Sequence, residues 1–154
     1  DLLFTPLQVA AYTAVFANGG KRYRPHLVRQ VLSSDDRPLM AAENAPVREN
    51  FIKPYNIQVV REGMRQTVTA GSARSLGALP VEAAGKTGTA QWSSKHDTHA
   101  WFTGFAPYDD PELVVTILIE EGGEGSDTAV TVAREFLQWY FTDYKNGDTV
   151  DRND

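Results

Sequence analysis

The sequence predicts an α+β fold in which an antiparallel sheet is flanked by helices. Three observations carry that reading. Two stretches in the first half repeat apolar residues at helical spacing between start and stop signals. Three strand-sized apolar runs in the second half are joined by links that favour antiparallel pairing. An amphipathic stretch follows them and supplies a helix to cover the sheet.

Thr5-Pro6 reads as an N-cap followed by proline at the first helical position. Leu7, Ala10, Ala11, Ala14 and Val15 then recur on one face, and Asn18-Gly19-Gly20 ends the helix. Residues 26–32 are β-like. Ser33-Ser34-Asp35-Asp36-Arg37-Pro38 is a turn cluster that closes a small hairpin with Leu39 and Met40. Residues 41–50 are polar and irregular. A second helix is predicted over 54–68, with Ile57, Val60, Met64 and Val68 on one face, and Ala70-Gly71-Ser72 ends it.

Strands are predicted at 83–91, 100–106 and 112–119. The last is apolar at nearly every position from Leu113 to Ile119, which predicts a central strand covered on both faces. The final helix starts at Ser126, with Ala129, Ala133, Phe136, Leu137 and Tyr140 as its apolar stripe. The division that follows is a folded unit over residues 1–141 and a polar, fraying tail over 142–154.

Bulk properties narrow the function. At 154 residues the length fits one domain, and the 42% hydrophobic content is enough for a substantial core. The net charge of −5 argues against nucleic acid and against a polybasic membrane surface. Cysteine is absent, so there is no disulfide framework and no thiolate metal site. No apolar run approaches the roughly 20 residues of a membrane-spanning helix.

The richest stretch is Gly85-Lys86-Thr87-Gly88-Thr89-Ala90-Gln91. It offers an ammonium, two hydroxyls and an unobstructed backbone to a small anionic ligand, with glycines that leave room for close approach. A phosphate-binding P-loop would need a glycine five positions before Gly85, where Pro80 stands, and a helix directly after Lys86-Thr87. Nucleotide binding is therefore disfavoured. In a strand, Thr87 and Thr89 point one way and Lys86 the other. One ligand reaches both parities only if the strand is a sheet edge, where backbone N–H groups are also free.

The flanking text extends the signal. Asp1-Leu2-Leu3-Phe4-Thr5-Pro6-Leu7-Gln8, Ala17-Asn18-Gly19-Gly20 and Arg24-Pro25-His26-Leu27-Val28 come before the Lys-Thr-Gly box. Glu62-Gly63-Met64 and Gly71-Ser72-Ala73 lead into it, and Ala100-Trp101-Phe102-Thr103-Gly104-Phe105-Ala106-Pro107 follows it. In this order they resemble the later part of the transpeptidase domain of class B penicillin-binding proteins, the elongation-type members above all.

The resemblance implies peptidoglycan D,D-transpeptidation, with penicillin and other β-lactam antibiotics as ligands and no cofactor. It implies that Lys86 holds a positive field near a nucleophilic serine. Thr87, Gly88 and Thr89 would bind the terminal carboxylate of a D-Ala-D-Ala stem peptide, and the backbone N–H of Thr89 would give half of an oxyanion hole. The family's Ser-x-x-Lys and Ser-x-Asn motifs do not occur among these residues. The chain is accordingly expected to be the C-terminal part of the domain, inactive alone. It would assemble with the preceding part or self-associate. A membrane glycan polymerase is a further expected partner, and the extracytoplasmic face of the bacterial inner membrane the expected location. A serine β-lactamase, a D,D-carboxypeptidase and a non-catalytic β-lactam sensor or scaffold domain share enough of this pattern to stand as alternatives.

Other features read as structure. His96, Asp97 and His99 form a metal candidate, against a solvated loop with His99 packing near Trp101. Gly122-Gly123-Glu124-Gly125 is an anion-nest candidate, but Glu120, Glu121, Glu124 and Asp127 crowd it with negative charge and favour a simple turn. Trp92 either walls a cleft or packs under the loop. Trp101, Phe102 and Phe105 are expected in the core, with Gly104 permitting close packing between them.

Overall fold

The computed structural model describes residues 3–41 and 45–145. Helix α1 (Pro6–Ala17) opens on a capping box: Thr5 Oγ1 accepts from the Gln8 N–H, and Gln8 Oε1 accepts from the Thr5 N–H. Its buried positions include Val9, Thr13 and Ala17, spaced four apart, while Leu7 is exposed. The expected stripe is corrected at Leu7, which faces solvent; Val15 is buried as expected, and the helix turns Val9 and Thr13 to the protein beside it.

A hairpin of β1 (Gln30–Leu32) and β2 (Pro38–Ala41) follows, closed by the predicted turn. There the Arg37 guanidinium and the Ser33 hydroxyl hold the Asp35 carboxyl below its ordinary pKa. Helix α2 (Pro54–Thr69) buries Ile57, Met64 and Val68 as predicted. Val60 is the exception and is exposed, because it faces a cavity beside Lys86 instead of a packed neighbour. A 3-10 turn over Arg74–Ala78 then leads into the sheet.

Strands β3 (Ala84–Ala90), β4 (His99–Ala106) and β5 (Leu113–Ile119) form an antiparallel sheet in the order β3-β4-β5. The expectation of a central β5 is corrected: β4 is central, and among the described residues β5 pairs with β4 alone. Its continuous apolarity arises because α1 packs on the strand and so does α3 (Thr128–Trp139). Two covered faces favour apolar residues at nearly every position, whatever lies alongside.

The core has two parts, sorted by strand alternation. Ala100, Phe102 and Ala106 pack with Ala129, Val130, Ala133 and Leu137 of α3. Ala84 and Phe105 pack with Ala17 of α1 and Met64 of α2. The α3 stripe includes Val130, which is fully buried, and excludes Phe136, which is 37% exposed. The Phe136 ring sits against Trp139 and Tyr140 on the outer side of the helix. A π-helical turn over Tyr140–Tyr144 follows α3. The fraying expected of the polar tail falls largely on residues 146–154, outside the described residues. No described helix is long and apolar enough to cross a membrane.

Gly85 and Gly104 face each other across β3 and β4. A methyl at either position would overlap the buried Phe102 ring, which fills the space both glycines leave. Gly104 permits the close packing its sequence context predicts. Gly85 is corrected: its missing side chain admits Phe102, not a ligand.

Candidate functional site

The Gly85–Thr89 segment lies on β3, the outer strand of the sheet among the described residues. The edge that parity demands is therefore present. Lys86 Nζ curls back and donates to the carbonyl oxygen of Thr87 at 2.6 Å. That oxygen is thus directed away from β4, and the two-residue repeat turns the backbone N–H and C=O of Thr89 to the same open side.

The two faces of the strand differ. On one, Lys86 lines a cavity of about 300 Å³ with Tyr12, Thr13, Phe16, Met64 and Thr103. Its floor is a row of hydroxyls. Lys86 lies opposite Thr103 and Thr103 opposite Thr116. Thr103 Oγ1 lies 2.9 Å from Thr13 Oγ1 and 2.8 Å from Thr116 Oγ1. Thr13 and Thr103 are both buried, and each hydroxyl finds its partner within the row.

On the opposite face the two threonines meet partners from distant segments. Thr87 Oγ1 lies 2.7 Å from Ser72 Oγ, at the turn after α2. Thr89 Oγ1 donates to Glu124 Oε2 at 2.9 Å. The structure therefore brings Lys86, Thr87, Gly88 and Thr89 to one rim and adds Ser72 and Glu124. Sequence reasoning missed both as site residues. Ser72 was legible only as part of a helix stop, and Glu124 only as charge in a turn.

The turn carrying Glu124 is fixed against the sheet. Gly123 donates to the Thr98 carbonyl and Thr98 Oγ1 donates back to the Gly123 carbonyl, each at 3.0 Å. Thr128 Oγ1 donates to the Gly122 carbonyl at 2.8 Å. Gly125 packs directly over the Gly88–Trp101 pair, where a methyl would overlap both carbonyl oxygens. Gly125→Ala is accordingly expected to lower stability by about 1–3 kcal/mol, because backbone and not a flexible side chain must move. Urea melting measures this, and an unchanged midpoint would show that the turn yields freely.

The β3–β4 loop is organised by Trp92. Its ring stacks on His96 and His99 at centroid distances of 4.7 and 5.4 Å. Trp92 Nε1 donates to the Asp97 carbonyl. His99 Nδ1 accepts from the Glu121 N–H at 3.0 Å, and His96 Nδ1 lies 3.1 Å from Glu121 Oε1. The ring partner of His99 is thus Trp92, not the expected Trp101. Among the described residues no group of three metal-ligating side chains is placed to hold an ion.

Comparison with known proteins gives these positions a context. The penicillin binding protein transpeptidase domain family model matches residues 2–138. Peptidoglycan D,D-transpeptidase MrdA of Haemophilus influenzae is 36% identical over 158 aligned positions, covering 88% of this chain and 23% of that protein. The crystal structure of Pseudomonas aeruginosa PBP2 in complex with WCK 5153 superposes with a TM-score of 0.77 at 36% identity, covering 92% of this chain and 30% of that one. The ceftriaxone acyl-enzyme complex of penicillin-binding protein A from Mycobacterium tuberculosis gives a TM-score of 0.79 at 31% identity, covering 87% of this chain and 32% of that one. The chain therefore spans about a quarter of the length of the H. influenzae relative. With its fold, its outer-strand motif and a match over most of its residues, the chain belongs to the penicillin-binding protein transpeptidase domain family.

Proposed function

We propose that this chain supplies one wall of the active site of a peptidoglycan D,D-transpeptidase. The observation that carries the reading is an open sheet edge that places an ammonium, two hydroxyls and an outward backbone N–H within four consecutive residues. That set suits a substrate with a terminal carboxylate next to a reacting carbonyl. Thr87 and Thr89 bind the carboxylate of a D-Ala-D-Ala stem peptide, with Gly88 leaving the approach open. The Thr89 N–H faces the carbonyl oxygen as it gains negative charge, a role in which one preorganised donor is worth about 3 kcal/mol. Lys86 holds the positive field beside them.

The nucleophile is a serine on the preceding part of the same domain. Its oxygen bonds to the penultimate D-Ala carbonyl carbon, the amide C–N bond breaks, and the hydroxyl proton leaves with the departing D-Ala amine. An acceptor amine then attacks the ester and regenerates the serine. A β-lactam follows the first half of this course and stays attached, as the ceftriaxone acyl-enzyme complex of the M. tuberculosis relative exemplifies. The reaction belongs on the extracytoplasmic face of the inner membrane, beside a glycan polymerase that makes the strands to be joined.

The test is to label the complete polypeptide carrying residues 1–154 with a fluorescent penicillin and to assay nitrocefin turnover in parallel. Stable labelling with slow turnover is the expected result. Rapid turnover would make the protein a β-lactamase, and absence of labelling would leave a non-catalytic domain.

A further inference from the structure

The Thr89 hydroxyl is assigned above to a ligand carboxylate, yet it already donates to a carboxylate of the chain itself. Glu124 Oε2 accepts that hydrogen bond at 2.9 Å. The contact joins residues 35 apart, so it is made by the fold and not by local chain geometry. The Gly125 N–H points to the same Thr89 oxygen at 3.4 Å. The turn is held on the opposite side by Thr98 and Thr128, which bond the Gly122 and Gly123 backbone. Gly125 lies flush on the Gly88–Trp101 pair. The carboxylate is therefore delivered to the motif by a braced element.

We propose that Glu124 is a tethered anion that occupies the Thr89 end of the groove and lowers its preference for anionic over neutral ligands. The inference rests on the transpeptidase reading of the groove. A hydroxyl has one proton to give. For Thr89 to give it to an incoming carboxylate, the bond to Glu124 has to break, and two like charges then face one another across the groove. Both effects penalise a ligand that carries a carboxylate and neither penalises its neutral counterpart. Glu124 is thus a specificity residue that acts before chemistry begins. It leaves the acyl-transfer steps unchanged.

The experiment compares benzylpenicillin with its neutral methyl ester as acylating agents of the complete polypeptide. The readout is the ratio of their second-order rate constants. Glu124→Ala removes the charge and the acceptor, Glu124→Gln removes the charge and keeps an acceptor, and Glu120→Gln removes a nearby charge outside the contact. Glu124→Ala is expected to raise the acid-to-ester ratio about three- to tenfold, with Glu124→Gln raising it less, and Glu120→Gln leaving it unchanged. A purely structural role in bracing the turn would alter both agents alike and leave the ratio where it was. An unchanged ratio in both Glu124 variants, with the parent protein still labelled, overturns this inference alone. Absence of labelling in the parent protein overturns the proposed function and this inference with it.

Discussion

Replacing Lys86 by alanine is expected to slow acylation of the complete polypeptide by penicillin about a hundredfold, with its melting behaviour nearly unchanged. The two halves of that expectation come from different observations. Lys86 is exposed, and among the described residues its ammonium bonds to the carbonyl of the next residue in the strand alone. Surface substitutions of this kind usually alter stability by no more than about 0.5 kcal/mol. The same ammonium is the one cation of the motif, it lies at the open side of the strand, and under the proposed function this is where acyl transfer builds negative charge. Lys86→Arg keeps the charge but spreads it over a larger planar group, so it should recover part of the rate. Unchanged labelling of Lys86→Ala would remove this residue from the mechanism.

The second large effect concerns stability. Phe102→Ala is expected to cost about 3–5 kcal/mol, the range for deleting a buried aromatic ring whose surroundings collapse only partly. Phe102 has no exposed surface, and its ring occupies the space left by Gly85 and Gly104. Gly85→Ala alone is expected to cost about 1–3 kcal/mol by forcing a methyl into that ring. In the Phe102→Ala background the same methyl meets no ring, so its cost should fall well below the single-variant value. Urea titrations of the two single variants and the double variant measure the coupling. Strict additivity would show that the glycine and the ring do not share this space.

The parts of the fold that were legible in the sequence are those set by local spacing. The Thr5 cap, the Pro54 start and the strand runs all signal through residues a few positions apart. Lateral order was not legible: the apolar run at 113–119 reports two covered faces, and nothing in it reports which strand lies beside it. Val60 and Phe136 carry helical spacing yet stay exposed, since one borders a cavity and the other stacks on its own helix. In the site, parity foretold that Lys86 and the threonines leave opposite faces of the strand, and made a shared ligand conditional on an outer strand. Ser72 and Glu124 were not foreseen because they reach Thr87 and Thr89 across 15 and 35 residues of chain. Only tertiary packing brings such partners together.

The seating of the Phe102 ring between paired glycines has a bearing on how this groove adapts. A change within the strand that touches Gly85 disturbs folding before it can alter selectivity. Glu124, by contrast, is exposed, and its carboxylate can be exchanged without touching that ring. Under selection the motif strand is therefore expected to stay fixed, while ligand preference drifts through the residue at position 124.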